Sequence, residues 1–365
     1  MKYKTYNLEE LVKIKYGKNQ AKVVCNNGSI PIYGTGGLMG YSKIPLYDKP
    51  SVLIGRKGTI NKVRYVNDPF WTVDTLFYTI INESLVLPKY LYYLLSTINF
   101  DYYNEGTSIP SLRTETLNKI SLNVPCLEDQ RATLSILSPL DDLIKANTKI
   151  NDYLAQISKQ YFNQYVENCT DYSEKSLTDI ANYQNGLAMQ KFRPTDNSNF
   201  LPVLKIRELS MGCCNQDSDK CTPDIKKECI VEDGDIIFSW SGSLMIDIWC
   251  GGKCGLNQHL FKVTSDSYPA WFIFYWTDYY MDNFREIAGD KATTMGHICR
   301  NHLEESIVKC PNNVTFESID SIMGPLFEKR ISLMKENRML ISIRNELLPK
   351  LMSGEIDVSK IDLSN

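Results

Sequence analysis

Residues 138–166 carry apolar residues at alternating spacings of three and four, which predicts one long amphipathic helix. Ser138 is expected to cap this helix, and Pro139 to lie in its first turn. Such a stripe predicts packing against a second helix. The expected seam contains one polar residue among apolar ones: Leu140, Leu143, Asn147, Ile150, Leu154, Ile157 and Tyr161.

A second, wider apolar stripe runs through residues 325–352 and predicts the partner helix. Pro325 again suits a first turn, Pro349 is expected to kink or stop the helix, and Gly354 suits the position just beyond its end. Asn147 and Asn337 each lie in an L-x-K-x-N setting near the stripe. These two asparagines are therefore candidates for fixing the register of the helix pair.

The chain repeats itself. A shift of 186 positions without a gap lays residues 107–139 on 293–325, matching Leu117 with Leu303 and Pro125 with Pro311. Both copies end in a predicted long helix. An internal repeat of this kind predicts two similar structural units.

Short strand-like runs separated by turn residues fill the region before each long helix. In the first copy they begin at Ile30, and a buried helix is expected at 87–99. In the second copy, residues 234–252 match the run that contains Gly58, with Gly242 in its place. Residues 169–175 are polar and are interpreted as a linker.

This order of elements predicts an α+β fold. Two mostly β lobes with helices are separated by two long helices that form an antiparallel coiled coil, with an internal pseudo-twofold repeat. The predicted limits are residues 1–126 for the first lobe, 127–168 for the first helix region, 169–311 for the second lobe, and 312–365 for the second helix region and tail.

The composition fits a folded protein of the reducing cytoplasm. The 365 residues are 43% hydrophobic and 23% charged, and no apolar run is long enough to cross a membrane. Eleven cysteines show no spacing typical of a small disulfide-rich scaffold. The net charge of −3 argues against indiscriminate coating of nucleic acid but allows a local basic groove.

The sequence does not favour three kinds of site: a methyltransferase site, a nuclease site and a zinc site. The glycines at 34, 36 and 37 and the turn at 67–71 do not match a methyltransferase, because no helix follows the glycines. The charges at 224–228 favour a solvated loop over a nuclease site. Cys250 and Cys254 are only a loose approximation to half a zinc site, so no metal is expected.

Contact with DNA is better supported, because both lobes contain stretches rich in the side chains that bind phosphates and base edges. Residues 56–64 alternate basic and small or apolar groups, and this pattern predicts a strand and its turn with the basic groups on one side. The candidate DNA-binding residues are Thr35, Gly36, Tyr41, Arg56, Lys57, Asn61, Thr72, Ser108, Arg113, Gln184, Asn185, Gln190, Lys191, Arg207, Trp240, Ser241, Ser243, Asn257, Gln258, His259, Thr294 and His297.

In combination, these motifs resemble the specificity subunits of type I restriction-modification systems. In the first lobe the resemblance lies in IPIYGTGGLMGY at 30–41, VLIGRKGTINKV at 52–63 and FWTVDTLFY at 70–78, which look like target-recognition sequences. The turn at 125–130, the helix at 140–162 and LLPKLMSGEI at 347–356 look like the spacer-helix signatures of that family. The second lobe departs from the pattern, having Trp240-Ser241-Gly242-Ser243 in place of GRKG.

The resemblance implies a non-catalytic subunit that binds double-stranded DNA. Each lobe would read one half of a bipartite asymmetric site, and the helices would set the gap and dock methyltransferase (modification) subunits. A motor-nuclease (restriction) subunit would join for cleavage. No cofactor is expected in this chain, because S-adenosylmethionine and ATP with Mg would be bound by the partner subunits.

A second hypothesis stays open at this point. The 22 tyrosines could belong to a protein-binding scaffold with two repeated lobes and no DNA readout. The two hypotheses differ in salt dependence, because phosphate neutralisation makes DNA affinity fall steeply with salt.

Overall fold

The chain divides into two compact units, and each long helix contributes to both. One unit comprises Met1–Asp142 and Ser342–Asn365, and the other comprises Leu143–Ile341. The structure is a computed structural model, and it describes residues 2–196, 199–290 and 296–360. Among these residues, no helix is long and apolar enough to span a membrane.

The first lobe consists of nine strands and three short helices. They are β1 (Tyr3–Asn7), α1 (Leu8–Leu11), β2 (Val12–Tyr16), β3 (Ile30–Gly34), β4 (Gly37–Ser42), β5 (Ser51–Gly55), β6 (Arg64–Val66), β7 (Trp71–Thr72), β8 (Leu76–Ile81), α2 (Pro88–Ser96), α3 (Thr114–Asn118) and β9 (Ser121–Pro125). The strands form sheets in the orders β2-β8-β5-β6 and β4-β3-β7, and a pair β1-β9. The helix expected at 87–99 is therefore confirmed as α2.

After the first long helix, α4 (Leu127–Asn168), the second lobe follows the same plan. Its elements are β10 (Tyr172–Ser176), α5 (Leu177–Ile180), β11 (Asn182–Asn185), β12 (Leu201–Leu204), α6 (Ile206–Met211), β13 (Lys220–Cys221), β14 (Ile230–Val231), β15 (Ile236–Ser239), β16 (Met245–Ile248), β17 (Cys254–Leu256), β18 (Leu260–Thr264), α7 (Ala270–Tyr279), α8 (Met281–Asp290), α9 (Arg300–Glu304) and β19 (Ile307–Pro311). The second long helix, α10 (Asn313–Ser353), ends the fold.

Sheet topology confirms the repeat and the α+β class. The orders β11-β18-β15-β16 and β13-β12-β17-β14, with the pair β10-β19, match the three sheets of the first lobe strand for strand, with β14 added. The parallel pairing of β3 with β7 recurs between β12 and β17. The linker expected at 169–175 is wrong for most of its length, because Tyr172–Ser176 is the strand that pairs with β19.

The first long helix begins eleven residues before the predicted cap. It starts at Leu127, so Ser138 is not its cap and Pro139 lies in its interior. Gln130 anchors the start: its amide donates to the carbonyls of Leu85 (2.9 Å) and Pro125 (3.0 Å) and accepts from the Leu87 amide (2.8 Å). A proline removes one backbone donor from a helix, and here the surrounding packing offsets that loss.

The second long helix also begins earlier than predicted. It starts at Asn313, which places Pro325 inside it, and it continues past Pro349 to Ser353. Gly354 has a φ of 80° directly after the helix, as predicted for the residue that ends it. In both helices, proline was interpreted as a boundary although the apolar packing continues on each side of it.

Within the unit 143–341, the two helices pack antiparallel. The Asn337 amide donates to the Ile144 carbonyl (3.3 Å) and to Thr148 Oγ1 (3.1 Å), while Tyr165 and Ile319 meet towards the other end of the pair. Asn337 therefore contacts the first helix on either side of Asn147, which is 4% exposed. In the other unit, Arg344 contacts Asp141 at 2.9 Å.

The seam of the first helix is narrower than predicted. Three of the seven seam residues stay exposed, at 41% for Leu143, 45% for Ile150 and 52% for Ile157. These residues are seven positions apart, so they lie on one face of α4. An apolar face of α4 is therefore left open.

Candidate nucleic-acid interface

A backbone clamp holds the loop after β5 in the first lobe. The Gly58 amide donates to the Pro110 carbonyl (2.9 Å), and the Leu112 amide donates to the Arg56 carbonyl (2.9 Å). Lys57 pairs with Ser111 between these two bonds. Gly58 has a φ of 84°, a conformation that favours glycine at this turn. The clamp brings residues 56–58 against residues 110–112, which are far away in sequence.

Four of the predicted residues converge on this clamp. The Arg56 guanidinium lies 5.1 Å from the centre of the Tyr16 ring and donates to the Asp74 carbonyl at 2.8 Å. Lys57 and Ser108 are exposed, and Arg113 is 70% exposed while contacting Glu105 at 3.1 Å. The loop after β5 therefore exposes positively charged side chains, and the clamp fixes the backbone that carries them.

A second group lies on the hairpin of β3 and β4. Thr35 and Gly36 form its turn, and Tyr41 is 44% exposed on its second strand. The Arg64 guanidinium lies 5.0 Å from the centre of the Tyr33 ring at this hairpin. Burial raises the pKa of Tyr33 while the charge of Arg64 lowers it, and the net direction is upward.

Two first-lobe candidates have structural roles. Thr72 is fully buried, so its side chain cannot reach DNA in this conformation. Asn61 Oδ1 accepts the Phe100 amide at 2.6 Å and so holds the 3-10 turn that begins there. The strand expected within 56–64 is wrong, because β5 ends at Gly55 and β6 begins at Arg64. The intervening residues form the clamped loop.

The same clamp occurs in the second lobe. The Gly242 amide donates to the Gly296 carbonyl (2.9 Å), the Ile298 amide donates to the Trp240 carbonyl (3.1 Å), and Ser241 pairs with His297. Gly242 has a φ of 67°. Each contact matches one in the first lobe, and the alignment of Gly242 with Gly58 is therefore confirmed.

The side chains on this second clamp form a network around His259. Its Nδ1 lies 3.0 Å from Ser241 Oγ, its Nε2 lies 3.3 Å from Gln258 Nε2, and its backbone amide donates to Asn257 Oδ1 at 3.2 Å. The Trp240 ring lies between His259 and His297, with ring centres 6.1 and 6.4 Å away.

Exposure separates the members of this network. Ser241 is 4% exposed and Asn257 is 7% exposed, so both orient His259 and do not reach solvent. Ser243 is exposed, and Gln258, His259 and His297 are half-buried. The accessible groups of the second clamp are therefore imidazole, amide and hydroxyl, in contrast to the cations of the first.

The remaining second-lobe candidates are less concentrated. Gln184 and Asn185 lie on β11 beside β18, while Gln190 and Lys191 are exposed on the 3-10 turn Met189–Lys191. Thr294 lies outside the described residues.

Arg207 is paired with a neighbouring carboxylate, although its side chain is 56% exposed. It donates through Nε (3.0 Å) and Nη2 (2.7 Å) to Glu208, which is 1% exposed and also accepts from Ser218 at 3.1 Å. Burial raises the pKa of Glu208, but these hydrogen bonds outweigh it and hold the pKa below the ordinary value of a glutamate.

Three residues that shape the first-lobe site are not among the DNA-binding residues predicted from the sequence. Tyr16 and Tyr33 supply the rings against which Arg56 and Arg64 lie, and Arg64 was noted only as part of a basic run. Tyrosines at strand ends carry little local signal, because the contact depends on which loop folds over them. In the part of the chain that the structure describes, no group of three or more His, Cys, Asp or Glu residues could hold a metal ion.

The geometry defines a two-lobed protein in which one clamped loop is repeated with different side chains, and comparison with known proteins agrees. Residues 1–156 match the family model described as "Type I restriction modification DNA specificity domain". The specificity subunit of the type I restriction enzyme MjaIX from Methanocaldococcus jannaschii is 25% identical over 355 residues, covering 87% of this chain and 80% of that protein.

Two further comparisons point the same way. The specificity subunit of the type I enzyme HindI from Haemophilus influenzae is 34% identical over 102 residues, covering 26% of this chain and 22% of that protein. The crystal structure of the S subunit of a type I restriction-modification system from M. genitalium superposes with a TM-score of 0.62 at 15% identity, covering 96% of each chain, and shows the same fold.

The resemblance expected from the sequence is therefore confirmed: residues 1–156 match the family model for the specificity domain, and most of the chain is similar to the specificity subunit of a type I restriction enzyme. Specificity subunits of this kind are DNA-recognition subunits without catalysis of their own, and the expectation that this chain is not an enzyme rests on that similarity. The comparisons give no support to the scaffold hypothesis.

Proposed function

We propose that this chain directs a type I restriction-modification complex to a bipartite asymmetric DNA site, with one lobe on each half. The observation that carries the proposal is the repeated clamp. Identical backbone contacts at Gly58 and Gly242 present different side chains, Arg56-Lys57 in one lobe and Trp240-Ser241 with His259 in the other. A shared frame with different side chains is what reading two unlike half-sites requires.

The first clamp suits phosphate and guanine. Arg and Lys neutralise phosphates and donate to the O6 and N7 atoms of guanine. Arg56 is held by the Tyr16 ring and the Asp74 carbonyl, so part of its rotamer freedom is already lost before DNA binds. The second clamp offers Gln258 and His259, which suit hydrogen bonding to base edges with less counterion release.

The open apolar face of α4 supports docking of methyltransferase subunits. Leu143, Ile150 and Ile157 are exposed at heptad spacing, and Tyr153 between them is 52% exposed. Contiguous exposed apolar side chains on one helix face mark a protein-docking surface. Under this proposal S-adenosylmethionine, and ATP with Mg, are bound by the partner subunits, and calorimetry of this chain with S-adenosylmethionine yields no binding heat.

Selection from random-sequence duplexes tests the proposal. The chain, with methyltransferase subunits added, is expected to enrich two short motifs separated by a fixed gap, with affinity that falls steeply as salt rises. Absence of any enriched sequence would defeat DNA readout, and affinity for a protein partner with little salt dependence would favour the scaffold.

A further inference from the structure

The hairpin of β3 and β4, residues 30–42, carries an exposed apolar surface. Leu38, Met39 and Tyr41 are 52%, 57% and 44% exposed. Val24, 50% exposed, pairs with Ser42, and its Cγ2 lies 3.3 Å from the position that a Cβ on Gly40 would take. Single exposed apolar residues are ordinary, but a contiguous group on one hairpin marks a binding surface.

The hairpin is closely packed at its glycines, and β4 is its outer strand. Met39 lies across Gly34, where an added Cβ would come within 2.3 Å of the Met39 sulfur, and Gly40 leaves room for Val24 in the same way. Because β3 also pairs with β7, the exposed apolar residues of the hairpin lie on the outer strand of the sheet β4-β3-β7. Strands of a sheet can lie in a groove of DNA and read bases.

The turn end of the hairpin is cationic. Arg64 lies over the Tyr33 ring, and its Nη2 is 3.5 Å from the position of a Cβ on Gly37, the residue that directly follows the turn. Arg64 also ends the loop that begins with Arg56 and Lys57 at the clamp. Positive charge beside exposed apolar side chains suits a polyanion whose groove presents apolar groups.

In the described part of the second lobe, the corresponding hairpin is shorter. Its strands β12 and β13 pair over only two residues each, Leu201 with Cys221 and Pro202 with Lys220. The longer apolar hairpin is therefore a feature of the first lobe, which suits a device that reads one half-site.

We propose that β4, the outer strand of the hairpin, enters the major groove of the first half-site and reads thymine through its 5-methyl group, using Leu38 and Met39. The thymine methyl is the one apolar group that the four base pairs present in that groove, and apolar side chains contact it without losing hydrogen bonds. This inference rests on the proposed function, because it names the base chemistry of the same interface.

Replacement of thymine by deoxyuridine tests the inference directly. The full chain with its methyltransferase subunits is titrated with the selected duplex, in which each thymine of either half-site is replaced in turn. Removing a contacted methyl group in the first half-site is expected to weaken binding about fourfold. Replacements in the second half-site serve as the internal control and are expected to have smaller effects.

Two variants complete the test. The double variant Leu38→Ala/Met39→Ala is expected to bind thymine and deoxyuridine duplexes equally, while Met211→Ala, an exposed methionine of the second lobe, keeps the discrimination. An unchanged second half-site preference in the double variant shows that the protein is folded.

The outcomes separate the two proposals. Sequence-specific binding without a deoxyuridine effect in the first half-site overturns the thymine contact and leaves the proposed function standing. If the double variant loses methyltransferase association but still discriminates between thymine and deoxyuridine duplexes, the thymine contact is also overturned. The hairpin of β3 and β4 is then a protein-docking surface. Binding by the unaltered chain without any sequence preference is instead a failure of the proposed function.

Discussion

At the residue scale, equivalent positions in the two lobes share backbone contacts and differ in side-chain chemistry. The correspondence of Gly58 with Gly242 could be predicted because glycine marks a left-handed turn in sequence as well as in structure. The burial of Thr72 and Asn257 could not be predicted. Polar residues in a β lobe divide between solvent and internal hydrogen bonds according to tertiary neighbours that local sequence does not encode.

Substitution of Lys57 tests the first clamp. Lys57→Ala is expected to weaken DNA binding several-fold and to lower the salt dependence by about one phosphate contact, because the side chain is exposed. Stability should change by less than about 0.5 kcal/mol, as for other surface substitutions. Fluorescence anisotropy over a range of salt concentrations measures both effects.

The matched control for Lys57→Ala is Lys4→Ala, an exposed lysine on β1 away from the clamp loop in sequence. It is expected to leave the salt dependence unchanged. Equal loss of preference at both half-sites in Lys57→Ala, or a lowered melting temperature, would show that Lys57 acts on folding or docking.

The Arg207–Glu208 pair predicts a pH effect on stability. Because the pKa of Glu208 is lowered in the folded state, its contribution is fully present above the unfolded pKa of about 4.3 and is lost as pH falls through the folded value. Glu208→Gln is expected to cost about 1–3 kcal/mol at pH 7 and to flatten the loss of stability between pH 7 and pH 3. Urea unfolding at a series of pH values measures this.

Glu286→Gln, which alters an exposed carboxylate on α8, is the control for the pH experiment and should follow the unaltered chain. A Glu208→Gln variant with the same acid sensitivity as the unaltered chain would show that other groups govern acid unfolding.

At the element scale, the sequence predicted the existence of both long helices and misplaced where they begin. The stripes were long and periodic, which is the strongest local signal for a helix. Pro139 and Pro325 suggested boundaries, yet both lie inside helices of 42 and 41 residues. Tertiary contacts such as those of Gln130 hold the preceding turns in helical form, and a local pattern does not reveal them.

Lengthening the helix pair tests its role as a spacer. Seven residues inserted after Asp142 in α4 and after Ile341 in α10 fall at the limits of the two compact units, so the internal contacts of each unit are preserved. The helical rise adds about 10.5 Å, which corresponds to about three base pairs. Selection from random duplexes is expected to return the same half-sites with a gap wider by about three.

The single insertion in α4 alone is the control: it lengthens one helix and not its partner, so the Asn337 contacts to Ile144 and Thr148 and the Arg344–Asp141 contact can no longer form together. Matched insertions that bind with an unchanged gap would contradict the spacer role of the helices.

At the scale of the whole molecule, the repeat was the most informative feature of the sequence. It predicted two lobes, two helices and their order, because self-similarity in sequence preserves topology even where side chains diverge. The cores confirm this: Phe162 and Met323 of the long helices pack into one, and Leu137 and Leu351 into the other. The bases read could not be predicted, because readout depends on side-chain poses that the repeat does not conserve.

The most direct test of the central claim is a methylation map. The chain is produced with the proposed methyltransferase subunits in a host free of other DNA methylation, and methylated bases are located along the host DNA. A single asymmetric motif of two short halves with a fixed gap is predicted, and the first-lobe variant Arg56→Ala should alter one half alone. Methylation without a shared motif, or at one uninterrupted motif, would contradict the account.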